Sequence, residues 1–271
     1  MFWKKVGNAH IAALFIGFIT LLAIAAPWIT HFSYSDQNAS ETLLSPSRMH
    51  WCGTDSLGRD LFSRLLYGAR VSLGIGCFTA LFSAVFGTIY GSLSAYAGGY
   101  LDAFLMRIGD ILYSLPSILL TVLIMLVVGR GPLGIFVAIA VVGWVSAARI
   151  ARGQVLQAKE LPYVEAAKSL GLSTLRILFK HILPNILPPI LVNLSFEIPQ
   201  NILSESFLSF VGLGLAPPYA SWGSLANEGW RAYRTYPHLI FFPALILFVT
   251  ILAFQVLGDA LRVALDPQSR K

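Results

Sequence analysis

Charge is scarce in this chain. Only 12% of its 271 residues are charged, while 56% are hydrophobic, and a soluble domain carries about 25% charged residues. With a mean hydropathy of +0.71, that scarcity excludes an ordinary soluble globule and a disordered chain. Cysteine is scarcer still. Cys52 and Cys77 form no C-x-x-C pair, and Cys77 lies in an apolar run, so no disulfide framework is expected. There is no H-E-x-x-H, no placed serine–histidine or paired-aspartate pattern, and no lysine-bearing phosphate loop. No catalytic, cofactor-binding or metal-ligating residue is therefore nominated. Internal repeats and low-complexity tracts are also missing. The net charge is +6, but the basic residues sit in short gaps between apolar blocks and make no continuous basic face. That pattern reads as membrane topology and excludes nucleic acid as a partner.

What is present is a series of apolar runs, each near the ~20 residues that cross a bilayer as a helix. Six spans are expected, at about 11–30, 71–97, 108–129, 131–149, 185–212 and 238–260. They leave no room for a soluble domain, so the fold class is all-α, a single polytopic membrane domain covering 1–271. The start imitates a secretory signal, with Lys4 and Lys5 before the apolar run and Ala23-Ile24-Ala25 after it. That run exceeds the 7–15 residues of a signal, so a retained first span is expected. Orientation follows the basic residues. With both termini in the cytoplasm, Lys4, Lys5, Arg107, Arg149, Arg152, Lys159, Lys168, Arg176, Lys180, Arg262, Arg270 and Lys271 are inside. Arg48, Arg59, Arg64, Arg70, Arg130, Arg231 and Arg234 are outside. The bias favours this arrangement.

Residues 50–64 predict an external amphipathic helix lying on the membrane, capped by Thr54 or Asp55. Leu57, Leu61, Phe62, Leu65 and Leu66 would share its apolar face, with Arg59, Asp60 and Arg64 turned away. Gly53 and Gly58 do not make it a nucleotide loop, since Arg59 and Asp60 replace the lysine and hydroxyl such a loop needs. The cytoplasmic loop 150–184 predicts a helix begun by Pro162 and stopped by Gly171 in a left-handed turn. A second helix would be capped by Ser173 and kinked or ended by Pro184. Glu165-Ala166-Ala167 reads equally well as a flat contact surface for another protein, with one charged hydrogen bond, or as a short helix against the membrane.

The fifth run carries Asn193, Glu197, Asn201 and Glu205 at steps of four, hence on one helical face. A charge at mid-membrane costs about 2.5–3.5 kcal/mol, so this stripe is expected to line a pathway or a seam with a partner. Pro188, Pro189 and Pro199 can break or bend that span. Arg107 and Asp110 are expected to pair at the cytoplasmic entry of the third span, with Asp102 nearby, and Pro116 to kink it.

Glu165-Ala166-Ala167, Gly171 and Leu183-Pro184 resemble the EAA loop of ABC-importer permease subunits. His181 stands where that pattern usually has isoleucine, as in the peptide-import branch. Gly53-Thr54-Asp55, Gly58-Arg59-Asp60, residues 205–214, Ser221-Trp222-Gly223 and the tail through Leu265-Asp266-Pro267 are similar to that branch as well. The likeness covers nearly the whole chain and is greatest to the C-type subunit of oligopeptide permeases, with dipeptide and nickel importers close by. It implies a type I importer permease of the bacterial cytoplasmic membrane, paired with a second permease in a heterodimer. It also implies two cytoplasmic ATPase subunits, which hydrolyse the ATP in place of this chain, and an external substrate-binding protein that delivers peptide. A proton-coupled secondary transporter with Glu197 as carrier is the remaining alternative. It leaves the alanine pair without a use and expects a repeat that the chain lacks.

Overall fold

The computed structural model describes residues 2–265, and side chains from Asn8 onward. The basic residues Lys4, Lys5, Arg270 and Lys271, and the Asp266-Pro267 end of the tail motif, lie outside the described side chains. In chain order the helices are α1 (Phe2–Ile29), α2 (Leu61–Ala97), α3 (Gly99–Ser114), α4 (Ser117–Val128), α5 (Pro132–Lys159), α6 (Pro162–Ser169), α7 (Thr174–Ile177), α8 (Leu183–Phe210), α9 (Trp222–Arg231) and α10 (His238–Leu265). A short 3-10 turn, Ala39–Glu41, lies between α1 and α2. Five helical runs are long and apolar enough to span a membrane, and α3 with α4 makes a sixth as a bent pair.

That pair turns by 93°, far more than a kink. Pro116 disfavours helical backbone at the residue before it, and Leu115 is extended (φ −85°, ψ 142°). The prolines of the fifth span behave differently. Thr174–Phe210 runs without a break, and Pro184 sits in the first turn of α8 rather than ending a helix. A π-helical turn, Leu178–Ile182, joins α7 to α8, with the Leu183 N–H donating to the Leu178 carbonyl. Pro188, Pro189 and Pro199 all lie within continuous helix. Ser173 occupies the cap position of α7 but makes no side-chain capping bond.

α2 is the axis of the fold and packs on α1, α5 and α8. Its 37 residues contain no proline, and Gly98 ends it at φ +68°. Its buried side is a ladder of small residues: Ser72, Gly76, Thr79, Ala80, Ser83, Gly87 and Gly91. Lipid-exposed helices associate by close backbone approach at such residues. Here Gly87 and Gly91 receive Trp144, Ala147 and Ala148 of α5, while Gly76 receives Ile202 of α8. A Cβ on Gly91 would lie 2.0 Å from the Ala148 carbonyl oxygen, and one on Gly87 2.5 Å from that of Trp144. The neighbour is backbone in both cases and cannot rotate away. Gly91→Ala should therefore destabilise the permease by about 1–3 kcal/mol, read as a fall in thermal stability in detergent. An unchanged midpoint would mean that the α2–α5 seam is looser than this.

Candidate functional site

The loop expected on the cytoplasmic side is largely helical. α5 continues ten residues past the expected span end, to Lys159. Pro162 opens α6, where its missing N–H is not needed. Gly171 closes it at φ +73°. The Gly171 N–H donates to Lys168 O (2.9 Å) and the Leu172 N–H to Ala167 O (3.2 Å), which is the paired pattern of a Schellman cap. Val164 and Ala167 face inward, into an apolar cluster with Ala95 of α2, Val155 and Ala158 of α5, and Ile177, Ile182 and Ile186. Lys159 Nζ donates to the Ala95 carbonyl at 3.0 Å, closing the end of α2.

Outward from α6 point Glu165, Ala166, Lys168 and Ser169, followed by Leu170 at 80% exposure. The Glu165 carboxylate has no partner among the described residues. The two alanines therefore divide. Ala166 is on the outer surface, while Ala167 is 5% exposed and belongs to the subunit's own core. The expectation of a flat alanine pair facing a partner is corrected accordingly.

The same end is braced by ion pairs the sequence placed differently. Asp102 accepts from Arg152 through both carboxylate oxygens (2.6 and 2.8 Å) and from Ser94 Oγ (2.7 Å). Asp110 pairs with Arg149 at 2.8 Å. Arg107, its expected partner, is exposed and takes part in neither. Neighbours on one helix were outcompeted by a second helix lying alongside, because α5 presents Arg149 and Arg152 to the start of the bent pair.

At the opposite end, the expected membrane-surface helix is not formed. Residues 50–60 are turns, with Thr54 and Asp60 joined in an isolated antiparallel bridge. α2 starts at Leu61, and its cap is Asp60, which accepts from the Ser63 N–H at 2.7 Å. Gly53 (φ +84°) and Gly58 (φ +71°) take conformations that other residues resist. Asp55, the other proposed cap, accepts from Arg59 Nε at 2.7 Å and from Arg64 at 2.5 Å. Both arginines also reach Glu228 of α9, Arg59 at 3.2 Å and Arg64 through two donors, one of them at 3.0 Å. Arg59, Asp60 and Arg64, expected to face water, are buried. His50 Nδ1 meets Asp60 Oδ1 at 2.9 Å. Cys52 is a free thiol in this wall. Burial, reinforced by the Asp60 carboxylate, pushes it up to about 11, so it is neutral and unreactive at physiological pH.

The polar face of α8 joins the structure at this end. Glu205 is fully buried inside the subunit and accepts from Ser72 (2.9 Å), Ser209 (2.8 Å) and Ser206 (3.3 Å). Ser72 Oγ in turn receives the Trp222 N–H, and the Trp222 indole donates to Leu65 O. Gly223 lets α9 approach so closely that a Cβ there would lie 2.2 Å from Ser206 O. Residues 53–60, 205–214 and 221–223, separate in sequence, thus form one lid over the bundle. Glu205 holds that lid and lines neither pathway nor seam, a correction to the four-residue stripe. The rest of the stripe is nearer the surface. Asn193 Nδ2 donates to Glu197 Oε1 at 2.8 Å. Asn201 joins Gln200, Ser204, Ser117 and Thr121 around a cleft of about 500 Å³ between α4, α5 and α8.

Comparison with known proteins decides what this arrangement belongs to. Residues 84–271 match the model of the binding-protein-dependent transport system inner membrane component, and residues 8–46 that of the N-terminal TM domain of oligopeptide transport permease C. The chain belongs to the binding-protein-dependent transport permeases. An oligopeptide transport system permease protein of Bacillus subtilis is 45% identical, over 97% of this chain and 86% of that protein. A dipeptide transport system permease protein of the same organism is also 45% identical, over 99% and 85%. In fold, the chain is similar to a protein in the structure of the MetNI methionine ABC transporter. The TM-score is 0.62 at 22% identity, covering 76% of this chain and 98% of that one. This permease is therefore a multi-pass membrane protein with the ABC type I importer architecture.

Sequence reasoning missed two of the residues that tie its motifs together. Glu228 and Ser72 carry no local signal, because each acts only through partners more than a hundred residues away.

Proposed function

We propose that this permease forms half of the pathway by which peptides, oligopeptides first, enter the bacterial cytoplasm at the expense of ATP. A second permease completes the pathway, two ATPase subunits drive it from the cytoplasm, and an external binding protein supplies the peptide. Both termini are cytoplasmic in this reading, so α6 faces the ATPases and the 53–60/α9 lid faces the binding protein. The observation that carries it is the unpartnered Glu165 beside Ala166 on a helix anchored to four others. A solvated helix has no need of so rigid a mount, whereas a lever that transmits force does. Glu165 supplies one charged hydrogen bond to a groove, and Ala166 the close approach. The cleft at Gln200, Asn201 and Ser204 supplies polar side chains to a passing peptide backbone, and Glu197 stands one turn away from it.

The dipeptide-named relative is as similar as the oligopeptide-named one, so overall identity does not separate the two cargos. The match of residues 8–46 to the oligopeptide model favours the longer peptide. The deciding experiment reconstitutes the permease with its partner subunits in proteoliposomes and measures uptake of labelled di- and pentapeptides. ATP inside should drive uptake of the pentapeptide. Uptake that follows a proton gradient and ignores ATP would overturn the reading in favour of secondary transport. Orientation has its own test. A reporter active only outside the cytoplasm should be active when fused after Leu44 and silent after Leu170, as the basic-residue bias requires. Activity after Leu170 would remove α6 from any cytoplasmic ATPase.

A further inference from the structure

The outer end of α1 carries a pocket that the transport reading leaves unused. Its volume is about 450 Å³, and its walls come from three places. Thr30 and His31 close the end of α1, Arg48 and Trp51 come from the loop, and Asp60 and Phe62 from the start of α2. Two polar side chains there are unspent, the Arg48 cation and the His31 imidazole. Arg48 and His31 are exposed and have no hydrogen bond or ion pair among the described residues. Arg59 and Arg64, by contrast, are consumed by Asp55 and Glu228, and Arg70 by the Ile24 carbonyl and the Tyr67 ring. Acidic and aromatic side chains line the pocket as well. Asp60 is buried, with its oxygens already engaged by His50 and Ser63, and it presents negative charge without requiring a partner. Trp51 packs against Phe62 with ring centroids 4.8 Å apart, yet is 61% exposed.

We propose that this pocket holds the headgroup of a zwitterionic aminophospholipid, with its phosphate on Arg48 and His31 and its ammonium towards Asp60 and the Trp51 face. The position of the pocket carries the argument. It lies where an apolar span stops, which is the depth of the headgroups, and Trp28, Met49 and Trp51 stand exposed around it as interfacial aromatic and apolar side chains do. The order of charges carries it further. A guanidinium and a carboxylate lining one pocket match a phosphate–ammonium pair, whereas a purely anionic headgroup would meet Asp60. Phosphate bound by arginine is a strong charge-assisted contact, and an ammonium over an indole face adds a cation–π term. Acyl chains would lie against the outward side of α1, where Leu21, Ile24 and Trp28 are exposed. The inference rests on the reading of the chain as a membrane permease, but its measurement is lipid occupancy and not transport, so the two can fail separately.

The test is native mass spectrometry of the intact permease–ATPase complex in detergent. Phosphatidylethanolamine is titrated against phosphatidylglycerol, diacylglycerol and soluble phosphoethanolamine. Phosphatidylethanolamine should bind best, and Arg48→Gln should weaken it by about tenfold, the loss expected from one such contact. His31→Gln should weaken it less, and Arg231→Gln, on exposed α9 surface outside the pocket, not at all. Equal binding by wild type and Arg48→Gln would overturn the proposal. So would competition by soluble phosphoethanolamine at lipid-like concentrations, which would make this a free-metabolite site. Unchanged lipid binding with lost stimulation by the binding protein would make the patch a docking surface and also overturn it.

Discussion

Replacing Ala166 with tryptophan is expected to abolish ATP-driven import while leaving the amount of permease in the membrane unchanged. Ala166 is exposed on α6, next to a glutamate with no partner, so no contact within the subunit resists the larger side chain. A groove shaped for alanine does resist it. Overpacking costs about 1–3 kcal/mol, which loosens a transient interface by roughly tenfold or more. Ala167→Trp, one position on, should fail in another way. That side chain points into the cluster of Val155, Val164 and Ile182, so the indole would disrupt the subunit and lower its yield. Gly171→Val lies between the two. Nothing stands within 4 Å of a Cβ at Gly171, so the substitution meets no clash. Its whole cost is the left-handed backbone at φ +73°, about 1–3 kcal/mol for a residue other than glycine. It should insert normally, with reduced coupling. Three measurements distinguish these outcomes: membrane yield, copurified ATPase and peptide uptake. Full uptake by Ala166→Trp would remove α6 from the coupling route.

Much of this was readable in the sequence, and the failures share a cause. The spans appeared because apolar length is a local property. Pro162 and Gly171 bounded α6 correctly because helix start and stop signals are also local. The side of α6 on which each alanine lies was not local. It depends on α5 and the π-turned start of α8, which approach from elsewhere in the chain. Residues 50–64 failed for the same reason. Periodicity assigns charged residues to water, and on that assumption Arg59, Asp60 and Arg64 became the solvent face of an interfacial helix. Glu228, 164 residues beyond Arg64, reverses the assumption by offering a carboxylate inside the lid. Pro116 was read as a kink, and the structure shows a 93° turn between α3 and α4, both of which pack on α5. Glu205 was grouped with Asn193, Glu197 and Asn201 because steps of four share a face. That face drifts by about 40° for every four residues, and by position 205 it has turned from the cleft to Ser72 of α2.

Arg64→Ala should be the most destabilising substitution in the lid. The Arg64 side chain is 1% exposed, and it joins Asp55, 5% exposed, to Glu228, 36% exposed. With Arg59 the four groups sum to zero charge. Removing Arg64 leaves two carboxylates sharing one guanidinium, with Asp55 unable to reach water. Breaking a buried pair in this manner costs about 3–5 kcal/mol, and the thermal midpoint in detergent should fall by roughly 10 °C. Arg64→Lys should recover only part of this, because a single ammonium cannot reach the two acids in the geometry of a planar fork. Glu228→Gln should cost least, about 1 kcal/mol or less, since a third of that side chain already meets solvent. The order of the three variants is therefore a stricter test than any one of them. Combining Arg64→Ala with Asp55→Ala should restore part of the loss, because the orphaned charge goes with its partner. If the double variant is as unstable as the sum of the singles, the two residues do not act on each other. Glu228 alone would then tie α9 to the start of α2.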